Sequence, residues 1–219
     1  MSSKEEEMIR AYQLLEDKDG FTKQSLGFKL YNKLAWGIQD EDYVSKVLDM
    51  IPDDFRGRLL EIPVGTGFVT CEKYKALTKA NIIALDYSED MLRQAKKLFT
   101  ENGLINVTCM QGNPRSLHFT DEGFDLVLSM NGFHVFPYKN RAFAEIARVL
   151  KYGGIFCGCF YIKGERELTD FVVDRFLVPS EWFTPPFYTK EELYEVLKSY
   201  YREVYLDNEK SIVYFKCIK

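Results

Sequence analysis

Apolar residues recur along this chain with more than one period, and each period predicts a different kind of element. From about Glu5 to Met50 the spacing is helical. Met8, Tyr12 and Leu15 share one face of a first segment. Asp19-Gly20 breaks it, and a second segment carries Phe28, Leu30, Tyr31, Leu34 and Trp36 before Gly37 ends it. A third, with Tyr43, Val44, Val47, Leu48 and Ile51, stops at Pro52, because the residue before a proline is pushed out of the helical region.

Beyond Pro52 the pattern alternates. Short apolar runs at 58–62, 82–86, 107–110, 124–129 and 155–162 predict strands, several of them apolar at successive positions, as strands buried on both faces must be. Helical patterns separate them. One opens at Ser88, a good N-cap with Glu89 and Asp90 in its first turn. It carries Met91, Leu92, Ala95 and Leu98 on one face and ends near Asn102-Gly103. Another carries Phe143, Ile146, Ala147 and Leu150 and is closed by Tyr152-Gly153-Gly154. Strands alternating with helices predict an α/β fold whose parallel sheet is covered on both faces. The tail differs: Thr189 caps a helix over 191–200, and two alternating runs, 202–206 and 211–218, flank the polar Asp207-Asn208-Glu209-Lys210. That pattern predicts an antiparallel hairpin at the sheet edge. The expected organisation is a helical cap over 1–52 and a core domain over 53–219, with a lid-like insertion at about 163–188.

Composition narrows the function classes. A chain of 219 residues with 46% hydrophobic and 28% charged residues builds one core without disulfide or metal staples. The net charge is −4 and the basic residues are scattered, so no nucleic-acid partner is expected. Cys157 and Cys159 alternate along one strand, too close for a CxxC redox pair, and the five cysteines read as small buried hydrophobes of a reducing compartment. His118 and His134 are the only histidines, so no zinc site is expected. Lys4 followed by Glu5, Glu6 and Glu7 is not a targeting signal, and no apolar run reaches the ~20 residues that span a bilayer. A cytoplasmic location follows as the expectation.

The chemistry begins at Leu59-Leu60-Glu61-Ile62-Pro63-Val64-Gly65-Thr66-Gly67, an apolar strand ending in a carboxylate, then a glycine turn, then a helix starting near Phe68. Gly65 and Gly67 let a backbone approach a ligand closely, and the helix N-terminus behind them offers amides. About twenty residues on, the second strand ends in Asp86, placed to accept the two hydroxyls of a ribose. The third strand ends in Gln111-Gly112-Asn113-Pro114, where the Asn113 amide can face an adenine edge or form a plain Asn-Pro turn. A nicotinamide-dependent oxidoreductase would place a third glycine where Thr70 stands and does not explain Glu61.

These stretches, with Ala-Leu-Asp-Tyr-Ser-Glu-Asp-Met-Leu, Phe-Asp-Leu-Val-Leu-Ser and Ala-Arg-Val-Leu-Lys-Tyr-Gly-Gly, occur in one order from about Leu59 to Phe160. Together they resemble the successive signatures of class I S-adenosylmethionine-dependent methyltransferases, in the broad group that includes quinone-biosynthesis enzymes. The resemblance implies a Rossmann-like three-layer α/β/α sandwich, with a seven-stranded, mostly parallel sheet and an antiparallel C-terminal strand. It implies that Glu61 and the backbone of Ile62, Pro63, Gly65, Thr66 and Gly67 hold the methionine end of the cofactor. Asp86 would bind the ribose, and Tyr87 and Met91 would pack on the adenine. Gly112, Asn113 and Pro114 would line the adenine, Ser129 and Met130 the methionine portion. Tyr31 would fold over the bound cofactor. The product would be S-adenosylhomocysteine, and the methyl acceptor a small molecule. Pro63 departs from the family, which usually has glycine there. Proline fixes φ near −65°, so the departure costs little if this position is extended, with Gly65 and Gly67 supplying the corners. No dedicated base is required, because alignment of acceptor and methyl donor supplies much of the acceleration. His134 is the one base candidate near the site. The acceptor would enter between the N-terminal helices and the aromatic insertion, against Tyr31, His134 and Trp182. A cofactor-binding protein without catalysis is the alternative from another class.

Overall fold

The computed structural model describes residues 42–219. The first two predicted helices, and Tyr31 with them, lie outside the described residues. Helix α1 (Asp42–Leu48) is followed by strands β1 (Gly57–Glu61), β2 (Ala80–Asp86), β3 (Val107–Gln111), β4 (Phe124–Met130), β5 (Leu150–Tyr161), β6 (Glu203–Glu209) and β7 (Ile212–Ile218). Interleaved are α2 (Cys71–Ala76), α3 (Glu89–Glu101), α4 (Lys139–Val149), α5 (Glu167–Val172), a π-helical turn (Val173–Leu177) and α6 (Lys190–Lys198).

The seven strands form one sheet in the order β3-β2-β1-β4-β5-β7-β6. β1 to β5 are parallel, and β7 runs antiparallel to both β5 and β6. The tail hairpin therefore enters the sheet with its second strand inside and its first at the edge. Alternation along each strand explains the layers. Leu59, Ile82, Leu126, Leu128, Cys157 and Cys159 join one apolar layer with Val47 of α1, Tyr74 of α2 and Ala95 and Phe99 of α3. Leu60, Ile83, Val127, Phe156, Phe160 and Phe215 join the other, with Phe143 and Ile146 of α4 and Leu193 and Leu197 of α6. The sheet is thus buried on both faces, which is why its inner strands read as unbroken apolar runs.

Local signals set the element ends. Ser88 accepts the Met91 amide at the start of α3, and Thr189 forms a full capping box with Glu192 at the start of α6. Two expectations need correction. The helix after the glycine turn begins at Cys71 and not near Phe68, because Gly67 is left-handed (φ +73°) and residues 68–70 complete the turn. The predicted strand at 155–162 starts earlier, at Leu150, where a register shift lets Phe124 pair Leu150 before Leu126 meets Ile155.

Candidate functional site

β1 lies between β2 and β4, so the direction in which successive strands are added reverses beside it. In open α/β sheets ligands bind beyond the carboxyl ends of the strands at that reversal. Glu61, Asp86, Gln111 and Met130 are the last residues of β1, β2, β3 and β4, and they bring the predicted cofactor residues to one edge.

Glu61 points inward, with 1% of its surface exposed. Its Oε2 accepts hydrogen bonds from the Tyr74 hydroxyl at 2.7 Å and the Thr70 hydroxyl at 3.1 Å. Burial pushes the carboxyl up to about 8; the two hydroxyl donors oppose that shift and the Asp86 charge adds to it. Asp86 ties two loops together: Oδ2 accepts the Gly65 amide at 2.8 Å and Oδ1 the Ser88 amide at 2.9 Å. Gly65 (φ +57°) has open space where a Cβ would stand, whereas at Gly67 a Cβ would lie 2.5 Å from the Phe99 ring. Pro63 is not in the left-handed region, and Gly65 and Gly67 take the positive-φ corners.

Four backbone amides of the glycine loop are engaged within the protein. Ile62 donates to the Leu128 carbonyl, Val64 to Leu85, Gly65 to Asp86 and Gly67 to Val64. The helix behind it has only six residues. Asn113 also differs from a free reader of adenine: its Oδ1 accepts the Arg115 amide at 3.0 Å and the Arg115 Nε at 3.2 Å. That closes the Asn-Pro turn, and the Arg115 guanidinium lies over the Tyr138 ring. Tyr87 is exposed at the rim, Met91 is half-buried, and Gly112 packs against Leu85 where a Cβ would meet Cδ1 at 2.6 Å. Pro114 is buried.

On the β4 side, Met130 is buried in the layer that holds Tyr74. Ser129 is buried in the sheet, and its Oγ has no hydrogen-bond partner among the described residues. A Cβ at Gly132 would stand 2.8 Å from that Oγ and 2.3 Å from Pro63 Cδ. The proline ring thus fills the space that a side chain at 132 would need.

His134 does not present a free base to the crevice. It is 6% exposed, its ring stacks on Phe183 at 4.1 Å between centroids, and its Nδ1 accepts the Tyr161 amide at 3.3 Å. Burial, reinforced by the Lys139 charge, pushes its pKa down to about 3. Buried Lys139 donates to the carbonyls of Phe136 and Thr184, and burial alone pushes it down to about 8. His134 and Lys139 pin the segment around Thr184 to the end of the sheet, and Trp182 is half-buried beside it. Phe183 and Phe187 are buried, so the aromatics of the insertion pack downward as well as lining its edge. His118 is exposed.

A folded pKa below the unfolded one means that the unfolded chain takes up the His134 proton first. Stability from this group is complete above about pH 6.5 and is lost as pH falls toward 3, by on the order of 3–5 kcal/mol over that window. Urea unfolding at a series of pH values is expected to show a shallower acid decline in His134→Gln than in the wild type. Parallel declines would disprove the burial account.

Thr70, Tyr74, Arg115 and Gly132 were not among the sequence-derived site residues. The four-residue spacing of Thr70 and Tyr74, which places both hydroxyls on one helical face, was the available signal. Among the described residues no cluster of His, Cys, Asp and Glu could hold a metal ion, and no helix is long and apolar enough to cross a membrane.

Comparison with known proteins adds the decisive observation. Residues 59–154 match the family model described as a methyltransferase domain. That stretch, from β1 into β5, is therefore similar to methyltransferase domains. It is 28% identical over 153 residues to 2-methyl-6-phytyl-1,4-hydroquinone methyltransferase 2, chloroplastic, of Oryza sativa subsp. japonica, covering 67% of this chain and 43% of that one. It is 30% identical over 120 residues to the ubiquinone/menaquinone biosynthesis C-methyltransferase of Marinomonas sp. (strain MWYL1), covering 54% and 48%. The chain thus spans less than half the length of these curated relatives. The crystal structure of the YcgJ protein from Bacillus subtilis shares the fold, with a TM-score of 0.65 at 23% identity, covering 77% of this chain and 71% of that one.

Proposed function

We propose that this chain binds S-adenosylmethionine at the β1–β4 edge and directs methyl transfer to a small-molecule acceptor, releasing S-adenosylhomocysteine. The observation that carries the reading is the pair of carboxyls, Glu61 and Asp86, that end adjacent parallel strands, with the Gly65 amide held by Asp86 and open space where a Gly65 Cβ would stand. The residues fit the group. A ligand with cationic charge at one end and a ribose diol further along matches an inward acid and a second acid 25 residues on, and Gly65 leaves room for close approach. When bound, the sulfonium supplies an activated methyl group.

The chain's own part is to bind, orient and exclude water. Glu61 faces the cationic end, Asp86 the ribose, and Tyr87, Met91, Gly112, Asn113 and Pro114 the base. Met130 forms the wall beside the methionine portion, with Ser129 behind it. The acceptor side is formed by Trp182 and the insertion at 163–188, with Tyr31 assigned to it from the family resemblance. His134 serves there through its stack on Phe183. No side chain is required to take a proton before transfer: the acceptor's lone pair forms the new bond to carbon, the carbon–sulfur electron pair stays on sulfur, and any acceptor proton leaves to water. The five free thiols suit a reducing compartment such as the cytoplasm.

Calorimetric titration with S-adenosylmethionine and S-adenosylhomocysteine, with NAD as control, tests the cofactor, and a labelled-methyl screen of small acceptors tests the reaction. Micromolar binding of both sulfur nucleotides and none of NAD is expected. Binding without transfer to any acceptor supports the non-catalytic alternative, and NAD binding alone an oxidoreductase.

A further inference from the structure

We infer that Thr70 and Tyr74 are positioning residues that fix the Glu61 carboxyl by one oxygen, Oε2, and so turn its other oxygen, Oε1, toward the α-ammonium of the bound nucleotide. The inference rests on the proposed binding of S-adenosylmethionine and deepens it: it names the atom of Glu61 that meets the ligand and the two hydroxyls that aim it.

The division of work between the two oxygens carries the argument. Oε2 accepts the Tyr74 hydroxyl at 2.7 Å and the Thr70 hydroxyl at 3.1 Å. Oε1 accepts no hydrogen bond among the described residues. The side-chain oxygens that are both sealed from the surface and without a partner belong to Ser129, Tyr201 and Ser211, so Oε1 is not sealed. The 1% of Glu61 that stays exposed is therefore at its unengaged oxygen, at the carboxyl end of β1 where the strand order reverses.

Both donors are committed to this carboxyl. Thr70 stands at the N-cap of α2, where a threonine hydroxyl ordinarily accepts an amide of the first turn. It makes no such bond and donates to Glu61 instead. Tyr74, one turn further on, is fully buried, with its ring against Phe99 of α3 at 6.1 Å between centroids. The same Phe99 ring fills the space beside Gly67. A phenol so enclosed cannot swing its hydroxyl elsewhere. Together the two bonds close the glycine turn at its base, tying the end of β1 to the start of α2. Donated bonds favour a carboxylate and oppose the burial that raises this group. A ligand ammonium on Oε1 acts in the same direction, so the donors and the cation support one charge from its two sides. A carboxyl already held by Oε2 also has less freedom to lose on binding. The hydroxyls therefore strengthen binding only while Glu61 is there to be aimed.

The experiment is a double-mutant cycle, read by calorimetric titration of the intact chain with S-adenosylhomocysteine, whose only cation is the α-ammonium. Tyr74→Phe is expected to weaken binding about tenfold, and Glu61→Gln by at least as much. The double variant Glu61→Gln/Tyr74→Phe is expected to bind no more weakly than Glu61→Gln alone. Thr70→Val runs the same cycle with the second hydroxyl and decides alone if urea unfolding shows that Tyr74→Phe is not folded. Thr70→Ser, which keeps the donor, is expected to bind as the wild type does. A purely structural role would instead weaken binding by the same factor with or without the Glu61 carboxylate, and that result overturns the inference. Unchanged affinity in Glu61→Gln also overturns it and leaves the proposed function standing. Failure of the wild type to bind overturns both.

Discussion

Gly158→Ala is expected to lower the unfolding free energy by ~3 kcal/mol or more, and the midpoint of thermal unfolding by ~6–12 °C. Gly158 pairs with Ser129 across the β4–β5 seam and with Phe215 across β5–β7. A Cβ there would stand 2.1 Å from the Ser129 carbonyl oxygen and 3.2 Å from Phe215 Cζ. A backbone oxygen in the middle of a sheet cannot rotate away, so the seam itself must open. The seam ends in Ser129 and Met130, so the site edge shifts with it. Gly103→Ala is the control, left-handed at φ +68° with no atom within 4 Å of the new Cβ. It is expected to cost about 1 kcal/mol from backbone strain alone. Equal losses in the two variants, measured by calorimetric scanning, would show that the close approach at 158 is relieved without opening the sheet.

Asp86→Ala is expected to act on stability and on binding at once. Removing the carboxylate leaves the Gly65 and Ser88 amides without their acceptor, at roughly 1–3 kcal/mol for each group that stays dry. The same change is expected to lower S-adenosylmethionine affinity at least tenfold, through loss of two charge-assisted bonds of roughly 1.5–3 kcal/mol each. Asp86→Asn separates the two effects. Its remaining carbonyl oxygen can still accept one of the two amides, so much of the stability returns while the affinity stays low. Chemical denaturation of both variants beside nucleotide titration checks this, and full affinity in folded Asp86→Asn would refute the ribose assignment.

The elements were legible because their signals are local. Ser88 and Thr189 announce α3 and α6 through cap chemistry, and the paired alternating runs around Asp207 announce the hairpin. The acidic ends of β1 and β2 were visible for the same reason: a carboxylate that closes an apolar run stands out from it. What escaped were contacts across chain distance. Nothing near Glu61 says that its carboxyl turns inward to Tyr74, because that hydroxyl belongs to a helix whose apolar face reads simply as core. The match between Pro63 and Gly132 joins two loops 69 residues apart, and each half is uninformative alone. The acceptors of the Ile62 and Val64 amides, the carbonyls of Leu128 and Leu85, also lie on neighbouring strands and leave no mark beside the glycine turn. Strand order was likewise a matter of long-range pairing, so the hairpin was visible while the insertion of β7 beside β5 was not.

That insertion has a consequence for how the molecule is assembled. β6 and β7 adjoin in sequence, so they can zip together within microseconds, while β5 must wait for a partner that pairs Ile155 with Ile218 across the whole intervening insertion. Until the hairpin docks, β5 is a bare edge lined by Phe156, Cys157, Cys159 and Phe160, all of them buried in the finished protein. The partly folded chain therefore carries an adhesive strand that the native one conceals, and dilute refolding favours its capture by the right neighbour over another copy.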